Sequence, residues 1–201
     1  MAGTPAMFLD RDGVVIEEVH YLSKLEQIRL IPGAAAAIRK LNAAGVPAVV
    51  ATNQSGVARG YFPESFVADA HAYLAELLAR EEARIDRFYY CPHHREKGLG
   101  AYRIDCTCRK PHPGMLLTAA RDLGLDLALS WLIGDKLSDC AAGTAAGCRT
   151  ILVRTGHGWA VELPEDIGTI PLEKVAADLP EAIQFWESQQ YFPGYQRVGA
   201  K

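Results

Sequence analysis

The sequence predicts an α/β fold in which a parallel sheet is covered by helices on both faces. Short apolar runs alternate with longer helical stretches between residues 6 and 153, and polar residues directly follow several of the apolar runs. Strands that alternate with helices are joined by right-handed crossovers, which build parallel sheets. The 201 residues contain no internal repeat or linker, so we expect one domain over residues 1–201.

Five short apolar runs are predicted as buried strands. The first run ends at Asp10 and the second at Thr52, so each gives way abruptly to polar residues. Continuous apolar runs are typical of strands that are buried on both faces of a parallel sheet. The predicted strands cover residues 6–9, 46–51, 87–91, 129–133 and 149–153.

Five longer stretches are predicted as helices. Pro32 precedes the first and Gly45 follows it, which is the usual placement of proline and glycine at helix ends. The second has an apolar face that runs from Phe66 to Leu78, and His71 is expected on its exposed side. The predicted helices cover residues 34–44, 63–84, 113–123, 136–146 and 172–186, and residues 193–201 are expected to be loose.

The composition excludes several classes of protein. Hydrophobic residues make up 49% and charged residues 22%, which excludes disordered and fibrous chains. The net charge of -3, from 24 acidic and 21 basic residues, argues against general binding to nucleic acid. No apolar run approaches the ~20 residues of a membrane span, and the first residues lack a secretory signal. A chain of this size does not need disulfides, so its five cysteines indicate a cytoplasmic protein in which clustered cysteines bind metal.

Acidic residues stand at the ends of two predicted strands. Asp10 and Asp12 follow the first strand, and Asp135 follows the fourth, with Asp139 one helical turn later. We expect these carboxylates to converge, because parallel strands end at one edge and alternate residues of an extended chain point the same way. Neighbouring carboxylates repel each other unless a cation or a shared proton intervenes, and magnesium prefers oxygen ligands. The alternative is that each aspartate only caps a helix or turn, which would account for any one of them but not for the group.

Residues that suit a phosphoryl group lie close to the same carboxylates. Thr52 and Asn53 offer a hydroxyl, an amide and main-chain N–H groups where the second strand ends. Lys110 offers a point charge for phosphate oxygens, and Arg109 can bind a second anion through two hydrogen bonds. Phosphoryl transfer depends on this kind of positioning and charge neutralisation. The alternative for Arg109 and Lys110 is a solvated pair at the surface.

Two pairs of potential metal ligands are separated by the twelve residues 94–105. The candidate ligands are Cys91, His93, Cys106 and Cys108. Three thiolates and one imidazole suit a closed tetrahedral zinc site, which would stabilise an otherwise irregular loop. The spacing within each pair is tighter than in most zinc fingers, so ordinary cysteines are an alternative interpretation, and His94 is an alternative ligand. Cys140 and Cys148 are expected to be small core residues.

Four segments resemble, in order, the four motifs of haloacid dehalogenase-like phosphatases. They are FLDRDG at residues 8–13, TNQ at 52–54, KP at 110–111 and GDKLSD at 134–139. The resemblance spans residues 7–156 and implies a Rossmann-like core, with too little chain between the motifs for a large cap domain. It implies that Asp10 attacks phosphorus to form an aspartyl-phosphate and that Asp12 is the general acid and base. It also implies that Thr52 and Lys110 hold the phosphoryl group. Magnesium would bind Asp10, Asp135 and the main-chain carbonyl of Asp12, with Asp139 in support.

The candidate zinc loop narrows the resemblance to one branch of this family, which contains phosphatases of heptose bisphosphate and of histidinol phosphate. TNQSGVARG at residues 52–60 and CTCRKPHPGM at 106–115 look like the heptose enzymes, and His93 matches the branch pattern for a zinc ligand. The similarity implies hydrolysis of the 7-phosphate of D-glycero-D-manno-heptose 1,7-bisphosphate in the synthesis of a lipopolysaccharide precursor. It assigns substrate contacts to one loop, where His20 stands at a position that is commonly glycine, and to residues elsewhere. The loop residues are Glu18, Val19, His20 and Tyr21, and the others are Thr52, Asn53, Gln54, Ser55, Arg109, Lys110 and Lys136.

Several other functions are alternatives to a heptose-bisphosphate phosphatase. Within the same fold the alternatives are a histidinol-phosphatase, another small-molecule phosphomonoesterase, or a phosphatase of nucleic-acid ends, which the net charge of -3 disfavours. The non-enzymatic alternative is a zinc-stabilised interaction module, which the intact Asp10, Asp12, Lys110 and Asp135 oppose. We therefore expect a cytoplasmic monomer whose partner is a small sugar phosphate, with no nucleic acid and no membrane.

Overall fold

Six parallel strands form one sheet in the computed structural model, which describes residues 3–161 and 170–189. The strand order is β3-β2-β1-β4-β5-β6, and the predicted parallel sheet is confirmed. The strands are β1 (Met7–Leu9), β2 (Ala48–Asn53), β3 (Arg87–Cys91), β4 (Trp131–Gly134), β5 (Arg149–Val153) and β6 (Lys174–Ala176).

Helices cover both faces of this sheet. They are α1 (Ala34–Ala43), α2 (Ser55–Ala58), α3 (Ser65–Arg80), α4 (Gly114–Leu123), α5 (Leu137–Ala146) and α6 (Leu179–Ser188). Successive side chains of β1 enter different cores, because Met7 and Leu9 pack with α1 and α6 whereas Phe8 packs with α4. Among the residues that the structure describes, no helix has both the length and the apolar character of a membrane span.

The strand order brings the predicted site residues together. β1 lies between β2 and β4, and Leu9 is in register with Val50 on one side and Ile133 on the other. The chain reverses its direction of winding between β1 and β4, and ligands of such sheets bind beyond the carboxyl ends of the strands at this point. The polar residues that follow β1, those that end β2 and those that follow β4 therefore share one edge.

Two of the predicted helices differ from the structure by more than one residue at an end. The helix predicted over residues 63–84 ends at Arg80. The helix predicted over 172–186 is wrong in its first part, where Val175 and Ala176 pair with β5 as a strand. α6 starts only after Asp178, whose side chain accepts a hydrogen bond from the Glu181 N–H at 2.9 Å. This cap fixes the helix start, and residues 193–201 lie outside the described part of the chain.

The prediction that His71 is exposed is wrong. Its side chain is buried between α3 and the sheet, where the imidazole stacks on Phe88 with ring centres 4.6 Å apart. Nε2 has no hydrogen-bond partner among the described residues. Burial, together with the positive charge of Arg11, lowers the pKa of His71 to about 3. The histidine is therefore neutral in the folded protein at physiological pH.

His71 should make the folded protein sensitive to moderate acid. Between the ordinary histidine pKa of 6.5 and the folded value of about 3, the unfolded chain binds one proton more than the folded chain. Stability therefore falls as the pH falls through this window. We expect the free energy of unfolding to decrease by about 2 kcal/mol more in the unaltered protein than in His71→Leu between about pH 7 and pH 5. Urea unfolding at both pH values measures this, and an equal decrease in the two proteins would contradict it.

Candidate active site

A cavity of about 510 Å³ opens at the carboxyl edge of the sheet, above β1, β2 and β4. The walls include nearly all of the side chains that the sequence singled out for catalysis or substrate contact. These are Asp10, Asp12, Glu18, His20, Tyr21, Thr52, Asn53, Gln54, Ser55, Arg109, Lys110, Lys136 and Asp139. Two predicted site residues are not in the walls: Asp135 is completely buried, and Val19 is partly buried against the hydrophobic core.

Lys110 lies at the centre of the polar floor of the cavity. Its Nζ is 2.9 Å from Asp10 Oδ1 and 2.8 Å from Asp139 Oδ1, and it donates to the Ala51 carbonyl at 2.7 Å. The residue is only 3% exposed, so the alternative of a solvated surface lysine is wrong. Asn53 fixes the lysine backbone, since its side chain accepts from the Lys110 N–H at 3.1 Å and donates to the Lys110 carbonyl at 3.0 Å.

These contacts keep both Lys110 and Asp10 charged. Burial opposes the charge on Lys110, but the carboxylates of Asp10 and Asp139 outweigh it and raise the pKa of the lysine. Burial likewise opposes ionisation of Asp10, but the charges of Lys110 and Lys136 lower the pKa of Asp10 below its ordinary value. The floor thus holds an ionised carboxylate out of bulk water, where its reactivity is not masked by hydration.

Three carboxylates converge beside Lys110. Oxygens of Asp10, Asp135 and Asp139 lie within 4.8 Å of one another. Asp135 Oδ2 accepts from the His157 N–H at 2.7 Å, whereas the buried Oδ1 has no hydrogen-bond donor among the described residues and has only Lys136 Nζ at 3.5 Å. Burial and the negative charge of Asp10 raise the pKa of Asp135 to about 7. A buried carboxylate oxygen without a hydrogen bond, next to a second carboxylate, fits a hard divalent cation.

Two glycines allow the chain to pass close to Asp135. Gly13 and Gly156 both have positive φ, at 84° and 56°. A Cβ atom at either position would collide with Asp135 Oδ2. Glycine is therefore required at both positions for two reasons, the left-handed backbone and the close approach to the carboxylate.

Asp12 has a different environment from Asp10. It lies in the turn after β1, and its carboxylate accepts from Arg11 Nη2 at 2.8 and 2.9 Å and from Gln54 Nε2 at 2.9 Å. Gln54 Nε2 is also 2.9 Å from Thr52 Oγ1. Asp12 and Asp10 thus both line the cavity, but the carboxylate of Asp12 is not part of the three-carboxylate cluster.

Sequence reasoning did not single out Arg11, which separates the two aspartates. The structure buries it to 1% exposure, with Asp12 and Gln54 as its partners. A buried guanidinium is tolerated only when it is paired and hydrogen-bonded, and these two residues meet that need. The available signal was its position at the end of a fully buried strand.

The loop that carries Glu18 forms one side of the cavity mouth. Glu18 Oε1 accepts from the His20 N–H at 2.6 Å, and Oε2 is 3.6 Å from Lys136 Nζ and 3.3 Å from His157 Nε2. His157 is a second residue that sequence reasoning missed, because it follows β5 outside the four motifs. His20 has a positive φ of 70°, a backbone conformation that glycine adopts readily.

The four cysteine and histidine side chains proposed as ligands meet at one point. Their sulfur atoms are 3.1–3.4 Å apart, and His93 Nδ1 is 3.6 Å from Cys108 Sγ and 3.8 Å from Cys91 Sγ. In a tetrahedral zinc site, bonds of about 2.3 Å to sulfur and about 2.0 Å to nitrogen place nitrogen about 3.5 Å from sulfur and sulfur atoms about 3.8 Å apart. The nitrogen–sulfur distances agree with this geometry, and the sulfur atoms lie a few tenths of an ångström closer together. His94 is not part of the cluster, since its Nδ1 accepts from the main-chain N–H groups of residues 96 and 97. Cys140 and Cys148 are buried, as predicted.

The cysteine cluster is connected to the cavity through Arg109. This residue follows Cys108 directly, and its Nη1 donates to the His93 carbonyl at 3.1 Å. Arg109 is therefore attached to the cluster at both its backbone and its guanidinium. A metal ion in the cluster would fix the position of this cationic side chain at the cavity wall.

The sequence is similar to those of known phosphatases. The profile of a family described as HAD-hydrolase-like matches residues 107–182. The D-glycero-β-D-manno-heptose-1,7-bisphosphate 7-phosphatase of Escherichia coli K12 is 42% identical over 181 residues, which cover 90% of this chain and 94% of that protein. The chain belongs to the heptose-bisphosphate 7-phosphatase family. The Rhodopseudomonas palustris member of this family is 50% identical over 143 residues, 71% of this chain and 79% of that protein.

Two solved structures of phosphatases have a fold similar to that of this chain. The B. bronchiseptica D,D-heptose 1,7-bisphosphate phosphatase, complexed with magnesium and phosphate, has a TM-score of 0.79 and 33% identity, with coverage of 92% of this chain and 99% of that chain. A HAD-like phosphatase from Mesorhizobium loti has a TM-score of 0.81 and 38% identity over 94% and 88% of the two chains. The fold and the family therefore agree with the motifs.

Loss of one thiol should abolish metal binding at the cysteine cluster. In Cys106→Ala three donors are left, and we expect the bound metal to fall from about one ion per chain to near zero, with a lower melting temperature. Elemental analysis of protein purified without added metal measures this. Cys148→Ala is the matched control, since Cys148 is a buried cysteine outside the cluster and its removal should leave the metal content unchanged. Equal metal content in the two variants would contradict the assignment.

Proposed function

We propose that the chain hydrolyses the 7-phosphate of D-glycero-β-D-manno-heptose 1,7-bisphosphate and leaves heptose 1-phosphate. The observation that carries this proposal is the buried Asp10–Lys110 pair at the cavity floor, in a chain that is 42% identical to the E. coli K12 enzyme across 94% of that enzyme's length. The reaction breaks one phosphate ester bond, and water supplies the oxygen that leaves with phosphate.

In the first step Asp10 attacks the phosphorus atom. Both Lys110 Nζ and the Arg11 N–H lie 2.9 Å from Oδ1, so we assign the attack to Oδ2. The new bond joins this oxygen to phosphorus, and the bond from phosphorus to the sugar oxygen breaks. Lys110 and the Thr52 hydroxyl hold the phosphoryl oxygens, which lowers the cost of bringing a dianion to a carboxylate.

Asp12 moves the protons in both steps. It gives a proton to the departing sugar oxygen and then takes one from the water that attacks the aspartyl-phosphate. Arg11 and Gln54 hold the carboxylate in one orientation, and Gln54 connects it to Thr52. The proton donor and the phosphoryl-binding hydroxyl thus keep a fixed spacing, which is what a transfer between neighbouring oxygens requires.

The proposed magnesium ligands are Asp10, Asp135 and the main-chain carbonyl of Asp12. When bound, the ion would offset the negative charge that the phosphoryl oxygens bring to the carboxylates. Asp139 supports the site from outside, because its Oδ1 contacts Lys110 at 2.8 Å and its Oδ2 accepts from the Lys136 N–H at 2.9 Å.

We propose that the cysteine cluster holds zinc, whose four protein ligands leave no position for a reacting water.

The cavity wall supports a substrate with two phosphates. Arg109 and Lys136 are further cationic side chains in the cavity wall, and either can meet a second anion. Histidinol phosphate brings an amine in place of the second phosphate, so the same cations would repel it. The cavity of about 510 Å³ is of a size that suits a small sugar phosphate.

We further propose that residues 1–201 form one catalytic domain that acts as a monomer in the cytoplasm. The single sheet that joins the described residues supports one domain. The five cysteines are all free, as expected in a reducing compartment.

Removal of the nucleophile should abolish turnover. Asp10→Asn keeps the side-chain shape but cannot form an acyl-phosphate of the same kind, so we expect phosphate release from heptose 1,7-bisphosphate to fall by at least about 10³-fold. Phosphate release with and without magnesium measures this, with histidinol phosphate as the comparison substrate. Asp105→Asn is the control, because Asp105 is an exposed aspartate outside the cavity. Near-normal turnover by Asp10→Asn would contradict the mechanism, and a preference for histidinol phosphate would contradict the substrate.

Gln54 should act on the proton-transfer step. In Gln54→Leu the Asp12 carboxylate loses one of its donors and its connection to Thr52, so we expect kcat to fall about 10- to 100-fold and the pH profile of kcat to shift. Steady-state kinetics across pH test this, and the exposed Gln184→Leu is the matched control. An unchanged kcat and pH profile would show that Gln54 does not position Asp12.

A further inference from the structure

A third group of potential metal ligands lies at the rim of the cavity. It consists of Glu18, His20 and His157, which we call the rim cluster. One ligand atom from each residue lies within 4.8 Å of the others. All three side chains face the cavity, but none belongs to the carboxylates around Lys110 or to the cysteine cluster.

The donor atoms of the rim cluster suit a different kind of ion than the donor atoms at the cavity floor do. Two imidazoles and one carboxylate suit zinc, nickel, copper and iron, whereas magnesium prefers oxygen ligands alone. Ligand bonds to such ions are about 2.0–2.2 Å long, so donors bound to one ion lie roughly 3–4 Å apart. The Glu18 Oε2 to His157 Nε2 distance of 3.3 Å is already in this range.

The backbone anchors both histidines while their rings are left accessible. The His20 N–H is held by Glu18 Oε1 at 2.6 Å, and the His157 N–H by Asp135 Oδ2 at 2.7 Å. The two rings are nearly parallel, at 19° with centres 6.3 Å apart. His157 is 43% exposed at its side chain and His20 is exposed, so rotation about the side-chain bonds can bring both nitrogens to one ion.

His20 occupies a backbone conformation that disfavours it. Its φ of 70° is in the left-handed region, which glycine adopts without strain and most other residues adopt at a cost. A histidine at this position therefore lowers stability unless its side chain contributes something in return. Within the described residues its ring contacts other rings, those of Tyr21 and His157, which does not by itself account for the choice of histidine.

We propose that Glu18, His20 and His157 form a binding site for one borderline divalent transition-metal ion, of the zinc or cobalt type. The ion would bridge the loop after β1 to the segment after β5. It would take the place of Lys136 as the main charge partner of Glu18, which Lys136 Nζ now approaches at 3.6 Å. Three protein ligands leave coordination positions open toward the cavity. The site does not depend on the proposed phosphatase activity.

Cobalt titration tests the rim cluster separately from the other two sites. The protein is used with its cysteine cluster loaded with zinc and with excess magnesium present, and Co²⁺ binding is followed by calorimetry and visible absorption. We expect the unaltered protein to bind one further Co²⁺, with a spectrum that lacks the intense thiolate-to-metal band. His20→Gly and His157→Gln should each weaken this binding by at least about tenfold, since even changes to residues around metal ligands cost about 10- to 100-fold.

The variants separate the loss of a metal ligand from the loss of folding. His20→Gly suits the left-handed backbone, so it should fold at least as well as the unaltered protein. His112→Gln removes an exposed histidine outside the rim cluster and should leave Co²⁺ binding unchanged. Three outcomes would overturn the proposal: no further ion bound at millimolar Co²⁺, equal binding by His20→Gly and His112→Gln, or a thiolate band that places the ion at the cysteines.

Discussion

The contact on which the rest of the site depends is the one between Lys110 and the two carboxylates of Asp10 and Asp139. All three groups are almost fully removed from water, with the two ion pairs at 2.9 and 2.8 Å. Burying any one of these charges alone would cost several kcal/mol, on the order of a large part of a domain's total stability. The site therefore holds together only as a set, and the strands and loops around it are arranged to deliver all three.

Each of the three arrives from a different part of the chain. Asp10 follows β1, Asp139 lies in the first turn of α5, and Lys110 comes from the loop that also carries Cys106 and Cys108. The parallel register of β1 with β2 and β4 sets the first two. The loop has no strand to hold it, so its position depends on Asn53 at one side and on the cysteine cluster at the other. This division accounts for a cluster of sulfur donors beside a cavity floor of oxygen donors.

The sequence predicted the parts of this arrangement that follow from local pattern. β3 and β5 have the predicted bounds, because their apolar runs are sharply delimited. The convergence of Asp10, Thr52 and Asp135 was predictable because all parallel strands end at one edge. Residue type and spacing indicated the three cysteines of the cysteine cluster, and the family resemblance favoured His93 over His94 as the fourth donor.

What the sequence could not reveal depends on contacts between distant segments. β6 is a strand only because the edge of β5 is available to pair with it, and its three residues carry no pattern of their own. His71 is buried because Phe88 lies opposite it, and Arg11 is buried because Gln54 and Asp12 together satisfy its guanidinium. His157 reaches the cavity through its main-chain contact with Asp135, which no local periodicity reports.

We propose that the carboxylate of Asp10, kept ionised by Lys110, takes the phosphoryl group from the substrate. Borohydride reduction during turnover tests it most directly, because it converts an aspartyl-phosphate to homoserine at the residue that carried the phosphate. With magnesium and heptose 1,7-bisphosphate present, we expect homoserine at position 10 by peptide mass spectrometry, and none when substrate is omitted. Homoserine at another aspartate, or none during active turnover, would contradict it.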